Sequence, residues 1–145
     1  MKIIKGILVN FRVFFLCKCY IISKIIQPWF VNNSLIGYLK LGKEICKVSD
    51  EIKNSIRQAD ILIRWGGEEF LLLLRITESY KLEAILNNIR SNIQSKNITN
   101  VGNITCSIGA TIYQPNDTIL NTIKSADINL YKAKENGRNQ VILTI

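Results

Sequence analysis

Apolar residues recur at Leu41, Ile45, Val48, Ile52 and Ile56, in steps of four, three, four and four, which lays one stripe along a helix. The spacing predicts a helix that ends near Gln58. Two apolar runs follow, at 61–63 and 70–74, separated by Arg64-Trp65-Gly66-Gly67-Glu68-Glu69. Strands over about 60–64 and 69–75 therefore reverse direction at the glycine pair. Leu82, Ile85, Leu86, Ile89 and Ile93 mark a second helix, and a polar run over 95–103 comes after it. Residues 104–113 read as a strand and 115–117 as a turn. Thr118 is placed to cap a third helix with Ile119, Ile123, Ala126 and Leu130 inward. Gly137 stops that helix, and 141–145 close the chain as a strand. Helices alternating with strands and a hairpin predict an α/β layer with a mixed, largely antiparallel sheet.

At 145 residues the chain makes one domain with an ordinary core. Histidine is absent and no Cys-x-x-Cys pair occurs, so a zinc site or a histidine-based catalytic dyad has no material. Cys17, Cys19, Cys46 and Cys106 are irregularly spaced and read as buried thiols rather than disulfides. The net charge of +8 is uneven: residues 1–43 hold seven Lys or Arg and no acid, and the remainder holds twelve basic and eleven acidic residues. Lysines scattered among aliphatic and aromatic residues favour a membrane surface, or simply a poorly matched segment, over nucleic acid. Asn10, Arg12, Lys18 and Lys24 break the apolar run, so a spanning helix of roughly 20 residues is not expected. Arg12 and the lack of a clear cleavage site argue against a signal peptide. An interfacial segment and a buried strand remain as two readings of the start, and the cytoplasm, with or without membrane association, is the expected location.

The candidate chemistry sits in the hairpin. Glu68 and Glu69 project from its tip as adjacent hard oxygen ligands of the kind Mg²⁺ (or Mn²⁺) takes, and Gly66 and Gly67 let an anion approach the backbone. Metal-assisted work on a phosphate follows. Gly66-Gly67-Glu68-Glu69-Phe70 resembles the signature hairpin of the GGDEF family, the diguanylate cyclases. Four further segments match at the family's spacings. Arg57-Gln58-Ala59-Asp60 is similar to its Arg-x-x-Asp product-binding site, with five residues before the first hairpin glycine. Ile104-Thr105-Cys106-Ser107-Ile108-Gly109-Ala110 is similar to its Ser-x-Gly strand, residues 125–134 to its last helix, and Gly137-Arg138-Asn139-Gln140-Val141 to the segment after it.

The resemblance implies the palm-like sheet shared with class III nucleotidyl cyclases, and the condensation of two GTP into cyclic di-GMP and pyrophosphate across a homodimer. Two-metal phosphoryl transfer needs acidic ligands from two elements. By resemblance, Glu69 is a metal ligand, and Glu68 a catalytic acid beside the attacking hydroxyl or a metal. Gly66, Gly67, Lys134 and Arg138 receive the phosphates, Asn33 the guanine, and Arg57 and Asp60 the cyclic product at an allosteric site.

Departures are confined to the start. Counted back from the hairpin, the aspartate that bridges both metals falls on Ile25, the next acidic position on Gln27, and the guanine-binding aspartate on Gly42. Gly37 is retained, the family's Asp-x-Leu-Thr-Gly-Leu-x-Asn-Arg segment is missing, and no acid precedes Glu44. The chain thus divides into a divergent basic, apolar segment at 1–31 and a GGDEF core at 32–145. Two functional readings follow: an impaired diguanylate cyclase, or a degenerate domain that binds cyclic di-GMP through Arg57 and Asp60. The abrupt change near residue 44 motivates the hypothesis that the preceding text is a frame-shifted reading of an ordinary domain. Translating the encoding DNA in its other two frames is expected to yield an Asp-x-Asp-Phe-Lys-like string, and its absence from both would dispose of the idea.

Overall fold

The computed structural model describes residues 13–21, 35–66, 68–98, 102–114 and 116–145. In chain order these form β1 (Val13–Ile21), α1 (Leu35–Asn54), β2 (Ile61–Gly66), β3 (Glu69–Leu74), a 3₁₀ turn (Ser79–Lys81), α2 (Leu82–Ser95), β4 (Asn97–Ile98), β5 (Gly102–Ile112), α3 (Ile119–Glu135) and β6 (Val141–Thr144). The sheet order is β2-β3-β1-β5-β4, with β6 also pairing β5. β5 and β6 run parallel and every other pair antiparallel, which is the mixed sheet expected from the alternation.

Two faces of this sheet are covered. β3 shows why: Phe70, Leu72 and Leu74 point one way and Leu71 and Leu73 the other, as a period of two requires. The first set packs with Ile45, Val48 and Ile52 of α1, Leu86, Ile89 and Ile93 of α2, and Ile104, Cys106 and Ile108 of β5. The second packs with Leu130 of α3 and the half-buried Ile119 and Ile123. A strand apolar on both sides reads as the continuous run seen at 70–74 rather than an alternation.

Several local expectations meet their cause. Thr118 caps α3, its hydroxyl accepting from the Asn121 amide at 3.2 Å. Gly137, at φ 103°, ends that helix in a left-handed cap, and the Arg138 amide donates to the Ala133 carbonyl at 3.0 Å. Other boundaries move. α1 starts at Leu35, before the stripe at Leu41, and stops at Asn54 rather than near Gln58, where Ser55 turns back with its hydroxyl on the Glu51 carbonyl (2.8 Å). The polar run at 95–103 contains β4, a two-residue strand paired to the start of β5. Cys106 is a buried thiol as expected, whereas Cys46 is exposed.

At the start of the chain, β1 lies in mid-sheet, hydrogen-bonded to β3 on one side and β5 on the other. A strand is therefore what this stretch of the basic segment forms. Among the described residues no helix is long and apolar enough to cross a membrane.

Candidate functional site

Sheet register decides what meets at the hairpin. Lys18 of β1 stands opposite Glu69 of β3 and opposite Ser107 of β5, so these three positions lie in one row across the sheet. β6 joins β5 at Ile108–Val141, and the Ile108 amide donates to the Gln140 carbonyl at 2.9 Å. The turn at 136–140 is thereby brought to the end of the sheet that holds Glu69. Adjacent strands are about 4.8 Å apart, so Ser107 and Glu69 are separated by roughly 10 Å of backbone.

β2 runs to Gly66, two residues past the expected end at 64, and its register with β3 shifts between Arg64 and Gly66. Such a bulge twists the ribbon and re-aims the side chains beyond it. Glu69 is the first residue of β3 and half-buried, and Glu68 occupies the turn before it. Glu69 lines a groove of about 380 Å³ with Trp65 of β2 and Leu120, Ile123, Lys124, Asp127 and Leu130 of α3. Gly67, Asn33, Ile25 and Gln27 lie outside the described residues, and Gly37 and Gly42 fall within α1.

Lys134 and Arg138 sit at the other side of this end, one in the last turn of α3 and one just beyond it. Arg138 (φ 64°) and Asn139 (φ 46°) follow Gly137 in left-handed conformation, a state that costs a residue with a side chain roughly 1–2 kcal/mol. The surroundings hold it there. Buried Ser107 accepts from the Asn139 amide at 3.1 Å. Arg90 of α2 donates through Nη1 to Asn139 Oδ1 (3.0 Å) and to Gln94 Oε1 (2.9 Å), and Asn139 Nδ2 donates to the same Gln94 oxygen at 3.2 Å. Gln140 Nε2 closes the helix end by donating to the Ala133 and Asn136 carbonyls.

The Ser-x-Gly strand thus has two structural duties that its letters alone did not disclose. Ser107 pins the turn, and Gly109 admits α3: a Cβ there would lie 2.0 Å from the Leu130 nitrogen and 2.3 Å from the Ala126 oxygen. Buried Asn129 adds a third tie, donating to the Ala110 carbonyl at 2.7 Å and to Thr144 Oγ1 at 2.9 Å. Arg90 and Gln94 had no signal in the sequence beyond polar positions on a helix.

Arg57 and Asp60 lie at the opposite end of the β2–β3 ribbon. One carboxylate oxygen of Asp60 accepts from the Arg57 amide (2.9 Å) and the other from the Arg75 amide (3.0 Å), while the Asp60 amide returns to the Arg57 carbonyl (3.0 Å). A surface ion pair is the ordinary expectation for such residues. Asp60 instead fastens the entry to β2 onto the exit from β3. Arg57, Asp60 and Arg75 line a shallow depression with Ser55, Ile56, Leu74, Ile76 and Ile85. Asp60→Ala is expected to cost about 1–3 kcal/mol by stripping two amides of a charged acceptor. Arg57→Ala, with its exposed side chain, should stay within about 0.5 kcal/mol, both changes being read by urea titration.

The two-metal chemistry that the resemblance implies needs acidic ligands from two elements. β1, Val-Phe-Phe-Leu-Cys-Lys-Cys-Tyr-Ile, contains no carboxylate, and among the described residues no three His, Cys, Asp or Glu side chains converge.

Residues 32–140 match the family model described as "Diguanylate cyclase, GGDEF domain". Diguanylate cyclase DgcM of Escherichia coli K12 is 34% identical over 110 residues, covering 76% of this chain and 27% of its own. Diguanylate cyclase A of Treponema denticola is 36% identical over 106 residues, covering 70% and 28%. The chain thus spans little more than a quarter of either relative. Among solved structures, the coiled coil and GGDEF domain of DgcB from Caulobacter crescentus, in complex with c-di-GMP, superposes with a TM-score of 0.77 at 19% identity, over 93% of this chain and 70% of that one. The active GGEEF domain of a diguanylate cyclase from Vibrio cholerae gives 0.69 at 21%, over 91% and 83%. A match that carries the hairpin, the Ser-x-Gly strand and the terminal helix in order, on the same fold, makes this chain a member of the GGDEF family of diguanylate cyclases.

Proposed function

We propose that this chain binds GTP at the hairpin end of its sheet and cyclic di-GMP at the Arg57–Asp60 end, and that it joins two GTP into the cyclic dinucleotide only weakly. The observation that carries the reading is the register of β1. Lys18 stands where a second element should offer Glu69 an acidic companion, and no acid precedes Glu44. The family's Mg²⁺ or Mn²⁺ would supply charge neutralisation at the phosphates, and this donor set holds it poorly.

Nucleotide binding survives that loss because other residues bear it. Lys134 offers a point charge and Arg138 a planar fork to the phosphates, and Gly66 and Gly67 bring no side chain that would crowd them. Asn33 reads the guanine. By resemblance Glu69 would be the metal ligand and Glu68 the acid beside the attacking hydroxyl or a metal, and the family reaction would need a second protomer to bring the second GTP. At the far end, Arg57 takes a phosphate or a guanine edge of cyclic di-GMP. Its neighbour Asp60, already bonded to two amides, keeps the arginine's backbone in place.

Calorimetry with GTP and with cyclic di-GMP, paired with pyrophosphate release from GTP in Mg²⁺ and in Mn²⁺, tests the reading. Saturable binding of both ligands with release near background is expected. Rapid release would refute the impairment, and failure to bind either nucleotide would refute the whole.

A further inference from the structure

The turn that follows α3 is bonded by a residue from the other side of the sheet. α2 packs on the face with α1, whereas α3 packs on the opposite face through Leu130. Arg90 reaches from α2 to the turn that follows α3 and closes a three-member ring with Asn139 and Gln94. Its Nε also donates to Asn87 Oδ1 at 3.4 Å, so the guanidinium is held from its own helix while it grips the turn. Ser107 holds the Asn139 amide from below. Arg138 is the residue between Gly137 and this clasped asparagine, and both Arg138 and Asn139 sit in a backbone state that residues with side chains leave when nothing restrains them.

We infer that Arg90 is a positioning residue for phosphate binding: by fixing Asn139 it keeps the left-handed turn on which Arg138 is carried. The inference rests on the reading that Lys134 and Arg138 receive the phosphates of GTP. Without the Arg90 fork, the turn relaxes towards ordinary φ values and Arg138 points elsewhere, although the helices that flank it remain packed. Arg90 touches no phosphate itself and acts only through Arg138. Its effect is therefore coupled to that residue, which a general loss of stability would not be.

The test is a double-mutant cycle on GTP affinity, by calorimetry on the whole chain, with Arg90→Met, Arg138→Ala and the pair. Arg90→Met is expected to weaken GTP binding about tenfold, and the pair to bind no more weakly than Arg138→Ala alone. Asn139→Ala, which removes the gripped amide and leaves Arg90 on Gln94, carries the same expectation should Arg90→Met fail to fold. Additive losses, or wild-type affinity in both Arg90→Met and Asn139→Ala, would overturn the inference while GTP binding by the unmodified chain upholds the parent reading. No GTP binding by the unmodified chain would sink both.

Discussion

Gly109→Ala is expected to destabilise the domain by about 3 kcal/mol or more, a fall of roughly 10 °C in Tm. The added methyl would meet the Leu130 nitrogen at 2.0 Å, the Ala126 oxygen at 2.3 Å and the Leu130 Cα at 2.5 Å. All three are backbone atoms of α3, so no side chain can rotate away, and the whole helix must lift from β5. Lifting it also exposes Leu130, which with Leu71 and Leu73 forms the core on that face, and it parts Asn129 from the Ala110 carbonyl. Overpacking of this kind usually costs about 1–3 kcal/mol when neighbours can adjust. Here they cannot, which places the change at the upper end. Gly102→Ala serves as the comparison, because a Cβ there meets nothing within 4 Å and only its φ of 85° opposes the change. About 1 kcal/mol is expected for it. Equal losses for the two glycines would show that α3 does not approach β5 as closely as described.

The larger functional effect should come from Lys18→Asp, which is expected to raise pyrophosphate release from GTP at least about tenfold in Mg²⁺ or Mn²⁺. Directly opposed residues on antiparallel strands share a face, with Cβ atoms about 4.5–5.5 Å apart. An aspartate at 18, in register with Glu69, would add the charge that two neighbouring dications require to coexist. Ile25→Asp is the competing variant, since counting along the chain from the hairpin places the missing ligand there. A gain from Lys18→Asp and none from Ile25→Asp is the expected result. Activation by Ile25→Asp and not by Lys18→Asp would mean that the family's metal-bearing position falls after β1.

Much of the fold was legible because it is written in local periods. The stripes at Leu41–Ile56 and Leu82–Ile93 need only the pitch of a helix, and the run at 70–74 needs only a strand with two covered faces. Thr118 and Gly137 announce α3's ends through their own side-chain and backbone chemistry. The two-residue β4 escaped because Asn97 and Ile98 have no period to read, and its existence depends on Gly102 and Asn103 across the ladder. The start of α1 escaped for a related reason: the stripe begins after the helix does.

The candidate site divides along the same line. Glu68, Glu69, the Arg57–Asp60 turn and the Lys134–Arg138 pair stand in short motifs at the family's spacings, so the amino-acid order alone named them as candidates and named the family. It also established that no carboxylate precedes Glu44. Which residue faces Glu69, however, is a matter of strand register between segments some fifty positions apart, and a register is fixed by packing on both faces of the sheet rather than by any local pattern. The same holds for Arg90, whose bond to Asn139 joins positions separated by 49 residues, and for Gly109, whose lack of a side chain has meaning only once α3 lies against it. Local chemistry can be read from neighbours in the chain. Close approach between distant segments exists only after the core has drawn them together.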